Sequence, residues 1–231
     1  MARTHPTRNA CIAASALILG GCSFGEPTLQ ETREMELTVA PGSQLTIQAG
    51  AGPMRLEGYA GDSILVEAGI YQHSASDEYQ LVLETDGEAG ARLIAEAASS
   101  SFGTSEYIDL SVRVPRSMQV RIEDGSGSIR VDTLDGDLDI EDGSGSITIA
   151  GIGGAITVED GSGSITIEDV GGDVRIDDDS GSITVVRVGG TVSVADGSGS
   201  ITVRDAEDFE LREDGSGSVT LEGIRSRGGS D

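Results

Sequence analysis

Lysine and tryptophan are absent from this 231-residue chain, and aromatic residues of all kinds make up 3% of it. The fifteen basic residues are therefore all Arg. Forty acidic residues oppose them, for a formal net charge of −25. Phosphate binding needs a basic face, so this balance excludes nucleic acid as a partner. Three Phe and four Tyr exclude a core built on aromatic packing. Two Cys in the whole chain leave no room for a disulfide framework. Hydrophobic residues reach 37%, carried mainly by Ile, Val, Leu and Ala. Few aromatics with many charges is a composition shared with disordered chains. The regular placing of Ile and Val argues instead for a folded chain, and its length allows one domain or slightly more.

Residues 1–21 read as an address label rather than as part of the fold. Arg3 and Arg8 form a positive start, and Ala10 to Leu19 is a short apolar run. Spanning a bilayer takes about 20 helical residues, more than this run supplies. It ends in Leu19-Gly20-Gly21-Cys22. Small residues directly before a Cys resemble the lipobox of bacterial lipoproteins. The resemblance implies cleavage before Cys22 and lipidation there, with palmitate-type chains as anchor. Ser23 after the lipid site, where Asp favours inner-membrane retention, implies the outer membrane. An ordinary signal peptide is the alternative, weakened because no second Cys follows Cys22. Residues 22–34, polar with one Pro, read as a tether.

The sequence then repeats. Asp-Gly-Ser-Gly-Ser-Ile begins at Asp124, Asp142, Asp160 and Asp196, and Asp214 begins a version ending in Val219. A variant with Asp179 in the second position begins at Asp178, so every step is 18 residues. A second turn falls at Gly136, Gly154, Gly172 and Gly190. Apolar residues line up in columns at the same step. One runs Ile129, Ile147, Ile165, Ile183, Ile201, Val219, and a second runs Val131, Ile149, Ile167, Val185, Val203, Leu221. Within a unit the alternation has the period of a strand, and β-branched residues dominate. One unit cannot bury its own apolar side, whereas stacked units can. The expected fold is all-β, a right-handed parallel β-solenoid with 18-residue coils about 4.8 Å apart.

Residues 116–227 carry the regular repeat, and 228–231 form a tail. Residues 35–115 repeat less clearly but still alternate, at Leu45/Ile47, Met54/Leu56 and Ile64/Val66. They are expected to form irregular coils of the same solenoid. In the last unit the apolar residues are Phe209 and Leu211, one place early, while the period to Asp214 is kept. A shortened turn at Glu207-Asp208 and an extra residue before Asp214 would reconcile the two as a bulge. Arg225, Arg227 and the glycine tail are the expected cap.

Residues 112–129, VRVPRSMQVRIEDGSGSI, and 165–176, ITIEDVGGDVRI, resemble a bacterial candidate-adhesin repeat family of unknown function, the DUF4097 type. The resemblance covers most of residues 35–225. It implies an envelope-facing β-solenoid and a role in adhesion, with envelope-stress sensing in some members. It transfers no catalytic or ligand residue.

Asp124, Asp142, Asp160, Asp178, Asp196 and Asp214 should form one ladder along the corners, with Glu123, Glu141, Glu159, Asp177 and Glu213 beside it. Unit charges one coil apart repel by about 0.9 kcal/mol even in water. Two readings offset this. In one, each Asp accepts hydrogen bonds from backbone N–H groups two residues on. In the other, the Asp ladder is a metal site that takes Ca2+ or a similar hard cation between coils. The calcium-roll pattern Gly-Gly-x-Gly-x-Asp is not met, since Ile129, Ile147 and Ile165 stand where its Asp would be. Outward Ser-x-Thr columns, such as Ser164/Thr166, form a hydroxyl face. The His beyond the leader is His73, in a polar stretch, and no nucleophile–base set can be assembled around it.

The sequence thus points to an outer-membrane lipoprotein with a non-catalytic binding or structural domain and no required cofactor. Its expected partners are the membrane, through the lipid, and an envelope polymer, glycan or surface protein. A membrane-linked regulator of envelope stress is the alternative.

Overall fold

A computed structural model describes residues 26–87, 90–97 and 105–225. The leader, Cys22, Arg227 and the tail lie outside the described residues. Sixteen strands and no helix make up the described chain: β1 (Thr28–Thr38), β2 (Gln44–Ala51), β3 (Met54–Tyr59), β4 (Ser63–Gln72), β5 (Tyr79–Asp86), β6 (Gly90–Ala97), β7 (Tyr107–Pro115), β8 (Gln119–Leu134), β9 (Leu138–Asp142), β10 (Gly145–Ile152), β11 (Ile156–Asp160), β12 (Gly163–Val170), β13 (Val174–Asp178), β14 (Gly181–Asp196), β15 (Gly199–Asp214) and β16 (Gly217–Glu222). The expected β-solenoid is the fold, with coils stacked at the 18-residue step.

Two faces enclose the core. One runs β10–β12–β14–β15–β16, in parallel and in exact repeat register, so Ile147 pairs Ile165, Ile165 pairs Ile183 and Ile183 pairs Ile201. The other runs β9–β11–β13 and on to the second halves of β14 and β15. Strands β8, β14 and β15 turn the corner without a break and belong to both faces. The inward columns form one continuous cluster, and Ile147, Ile165, Val185 and Val194 are fully buried within it. Burying a side chain of this size is worth roughly 1.5–3 kcal/mol. Each coil repeats that gain, which is how so short a unit becomes stable.

The corner glycine of each unit has a steric cause. Gly145 and Gly163 both have φ near +150° (145° and 149°), and a Cβ on Gly163 would run into the Gly145 carbonyl oxygen. Only a residue without a side chain lets neighbouring coils approach so closely there.

Residues 35–115 depart from simple coils. Strands β3 and β7 pair in parallel, as do β2 and β6, and β8 joins both β2 and β3 to the regular part. Beyond them the pairing turns antiparallel: β4 with β1 and β7, and β5 with β6. The two faces therefore continue to the N-terminal end, but hairpin-like ribbons rather than coils finish them. The segment read as a tether is corrected too. Residues 28–34 belong to β1, paired from Thr28↔Gln72 onward, and Tyr79 Oη donates to Glu31 at 2.9 Å. An edge strand keeps one side wet, so its polar composition hid it.

The bulge in the last unit is present. Register slips between Val188 and Thr191, so that Val192 faces Phe209 and Val194 faces Leu211. It recovers at Ala195↔Glu213, leaving Arg212 as the extra residue. Phe209 thereby packs against the core. At the C-terminal end, Arg225 N–H closes the coil onto the Ala206 carbonyl at 3.2 Å.

Candidate functional site

The corner after each short strand is the most chemically loaded part of the molecule. In Leu138-Asp139-Ile140-Glu141-Asp142, alternation turns Leu138, Ile140 and Asp142 inward and Asp139 and Glu141 outward. The same holds in β11 and β13. The two acidic ladders thus part: the Glu ladder faces water, whereas the Asp ladder continues the apolar columns into the interior.

Register stacks the Asp ladder directly: Asp124↔Asp142, Asp142↔Asp160, Asp160↔Asp178, Asp178↔Asp196 and Asp196↔Asp214. Asp124, Asp142, Asp160, Asp178 and Asp196 are buried, with 3–8% of their surface exposed. One oxygen is used by the turn. Ser144, Ser162 and Ser180 N–H each donate at 3.2 Å to Oδ1 of Asp142, Asp160 and Asp178, and Ser198 N–H donates to Asp196 at 3.0 Å. This is the turn chemistry expected of Asp two residues before a backbone donor.

The other oxygen is different. Oδ2 of Asp142, Asp160 and Asp178 is buried and finds no hydrogen-bond partner among the described residues, and neither oxygen of Asp124 has one of ordinary geometry. Burial pushes the Asp124 carboxyl up to about 7, with the Asp142 charge adding to it. Burial likewise carries Asp142 and Asp178 to about 6 and raises Asp160, against the pull of the corner N–H groups. A carboxylate out of water favours its neutral form, and a like charge one coil away adds to that preference.

Outside, the corners line a groove of about 890 Å³ that runs from Gln48 and Glu96 to Glu213. Its cations enter from the strands. Arg121 bridges Glu123, Asp139 and Glu141 near one end, and Arg212 reaches Asp177 near the other. The bridging role of both Arg residues escaped the sequence reading, because each reaches acids on other coils. The inward turn of the Asp ladder was readable from the two-residue alternation after Leu138 and Ile140.

The candidate metal residues are therefore brought into one column, but among the described residues no group of three or more Asp, Glu, His or Cys is gathered for an ion. The side chain of Asp214 and residue Cys22 lie outside what is described. His73 lies just past the end of β4, its N–H donating to Glu106 at 3.1 Å. Ser182 and Ser200 hydroxyls meet at 3.5 Å on the outward hydroxyl face.

A second corner column is equally regular. Thr133, Gly151, Asp169, Arg187, Asp205 and Gly223, each 18 residues apart, all have φ between 56° and 70°. Four of the six pay the left-handed penalty of a side chain. Arg187 offsets part of it by clasping Asp169 one coil away, at 2.6 and 2.9 Å, and Glu168 at 2.9 Å.

No protein-family model and no curated protein sequence matches the chain. Among solved structures it is similar to a candidate cell adhesion protein from Clostridium sporogenes, at 12% identity and a TM-score of 0.46, covering 84% of this chain and 96% of that one. It is also similar to a candidate adhesin from Parabacteroides distasonis, at 12% identity and a TM-score of 0.30, covering 83% and 96% of the two chains. A candidate adhesin from Parabacteroides merdae aligns at 8% identity and a TM-score of 0.27, covering 83% and 95%.

Proposed function

We propose that the chain is a cell-envelope lipoprotein, held to the outer membrane through lipid on Cys22, whose solenoid is a non-catalytic, adhesin-like binding or structural domain. The observation that supports this reading is the outward surface. An outward Ser recurs at every coil from β8 to β16 in parallel register, and an outward acid recurs on the other face at every coil but that of Ala195. A surface with a fixed short repeat suits a partner that repeats as well, such as an envelope polymer or glycan, because many weak identical contacts then add in one binding event. The bacterial candidate-adhesin family of the DUF4097 type, which residues 112–129 resemble, fits such a role. Calcium or another hard cation could join the outward acids to an anionic polymer, though the proposal requires no cofactor.

Two measurements test it. Mass spectrometry of the mature N-terminus should find Cys22 acylated; an unmodified Cys22 removes the anchor. The purified full chain should be retained on isolated envelope polymer without changing it. Turnover of an acidic polysaccharide would replace the binding role with a hydrolytic one. Retention on a membrane signalling protein alone would replace it with stress sensing.

A further inference from the structure

The inward Asp ladder has a property that neither adhesion nor turn formation explains. A turn needs one carboxylate oxygen, and Ser144, Ser162 and Ser180 N–H groups occupy that one. The second oxygen of Asp142, Asp160 and Asp178 is buried without a partner. Ionised, each would be a buried half-satisfied anion beside another one coil away, an arrangement that proteins avoid. The groups facing the column do not relieve it. Glu123, Glu141, Glu159, Asp177, Asp179 and Glu213 on the outer rim add negative charge, and Glu96 joins them from β6. Arg121 and Arg212 are spent on outer acids. The ion pairs among the described residues involve other acids, not Asp124, Asp142, Asp160 or Asp178.

We propose that the column Asp124–Asp142–Asp160–Asp178 is a proton-binding ladder, in which stacked carboxyls are held neutral and the solenoid is tightest in mildly acidic surroundings. A protonated Oδ2 becomes a donor, and the carboxyl of the next coil, in register about 4.8 Å along the stack, is within reach of a small side-chain adjustment.

The direction of the pH effect follows from where the protons sit. An unfolded Asp titrates near 3.9. Burial carries Asp142 and Asp178 to about 6 and Asp124 to about 7 in the folded chain. Below pH 4 both states are protonated. Between 4 and these raised values the folded state holds more protons, so stability falls steadily as pH rises. Above about 7 the column is ionised and the loss is complete.

The test uses the purified full chain with aspartate labelled at its carboxyl carbon. Carbon NMR should show a set of Asp carboxyls titrating near pH 6–7, apart from the surface acids. Midpoints all below 5 would overturn the proposal. The melting temperature should fall by about 10 °C from pH 5 to pH 8. The outer acids also repel, so the decisive comparison is the variant D142N/D160N/D178N, which keeps the acceptor for the Ser N–H and removes the charge. Its fall should be less than half as large, and an unchanged fall would overturn the proposal. If the variant does not fold, the carboxyl titration of the parent chain still decides. Calcium at pH 8 should leave melting unaltered; a calcium-dependent rise that the variant lacks would make the column a cation site instead.

Discussion

Arg212 grips Asp177 across two coils. Its Nη2 donates to the Ile176 carbonyl at 2.9 Å and pairs with the Asp177 carboxylate. The reach is possible because Arg212 is the extra residue of the bulge and Ala195 stands between the two coils. Ala195 is the one break in the outer acidic ladder, and its small side chain leaves the path open. The last full coil is thereby tied sideways to the stack as well as edge to edge. Charge relief and end closure are achieved by one side chain.

Replacing Arg212 should loosen that end. Arg212→Ala is expected to cost about 1–2 kcal/mol, more than an exposed pair, because the contact is partly shielded and bonds a backbone carbonyl too. Arg212→Lys should recover part of it, since Nη2 alone serves both acceptors and an ammonium also carries several donors. Urea unfolding of the two variants checks this.

The glycine ladder should be intolerant. Gly163→Ala places a Cβ against the Gly145 carbonyl and asks a side chain to adopt φ of +149°. A loss of about 3 kcal/mol or more is expected, enough to lower expression visibly. Calorimetric melting of the variant measures it; a loss under about 1 kcal/mol would show that the coils can part there.

The left-handed column predicts the opposite sign. Thr133 is β-branched and sits at φ of 64°, where its neighbour one coil on is Gly151. Thr133→Gly should stabilise the chain by about 1 kcal/mol, and Gly151→Val should destabilise it by a similar or larger amount. Paired thermal melts compare them.

Core truncations should grade along the stack. Ile165→Ala, in a fully buried mid-stack position, is expected to cost about 3–4 kcal/mol. Val219→Ala is in the same column on the last strand, where the side chain is only half covered, and should cost about 1 kcal/mol or less. Equal losses would mean that burial does not govern the column.

How much of this was legible beforehand follows from the kind of contact involved. Parallel stacking joins residue n to residue n + 18, so Ile147, Ile165 and Ile183 announce their pairing by spacing alone. The bulge was legible for the same reason, because Phe209 and Leu211 broke a spacing that Asp214 restored. Antiparallel pairing has no constant separation: Thr38 meets nearby Ser63, while Thr28 meets Gln72 much farther along the chain. The pairing of β1 with β4 therefore left no periodic trace, and residues 28–34 read as a tether.

The amino-acid order by itself determined the coil length, the columns and the corner glycines, since each depends on one local unit meeting its own copy. Alternation puts Asp142 on the inward side, but only the tertiary structure decided how far each acid loses water. Asp142 and Glu141 are adjacent, alike in charge and both border the groove, yet Asp142 is turned inward and buried while Glu141 stays open to water. Burial is a property of the assembled stack, and it is burial that gives two chemically equivalent carboxyls different affinities for a proton.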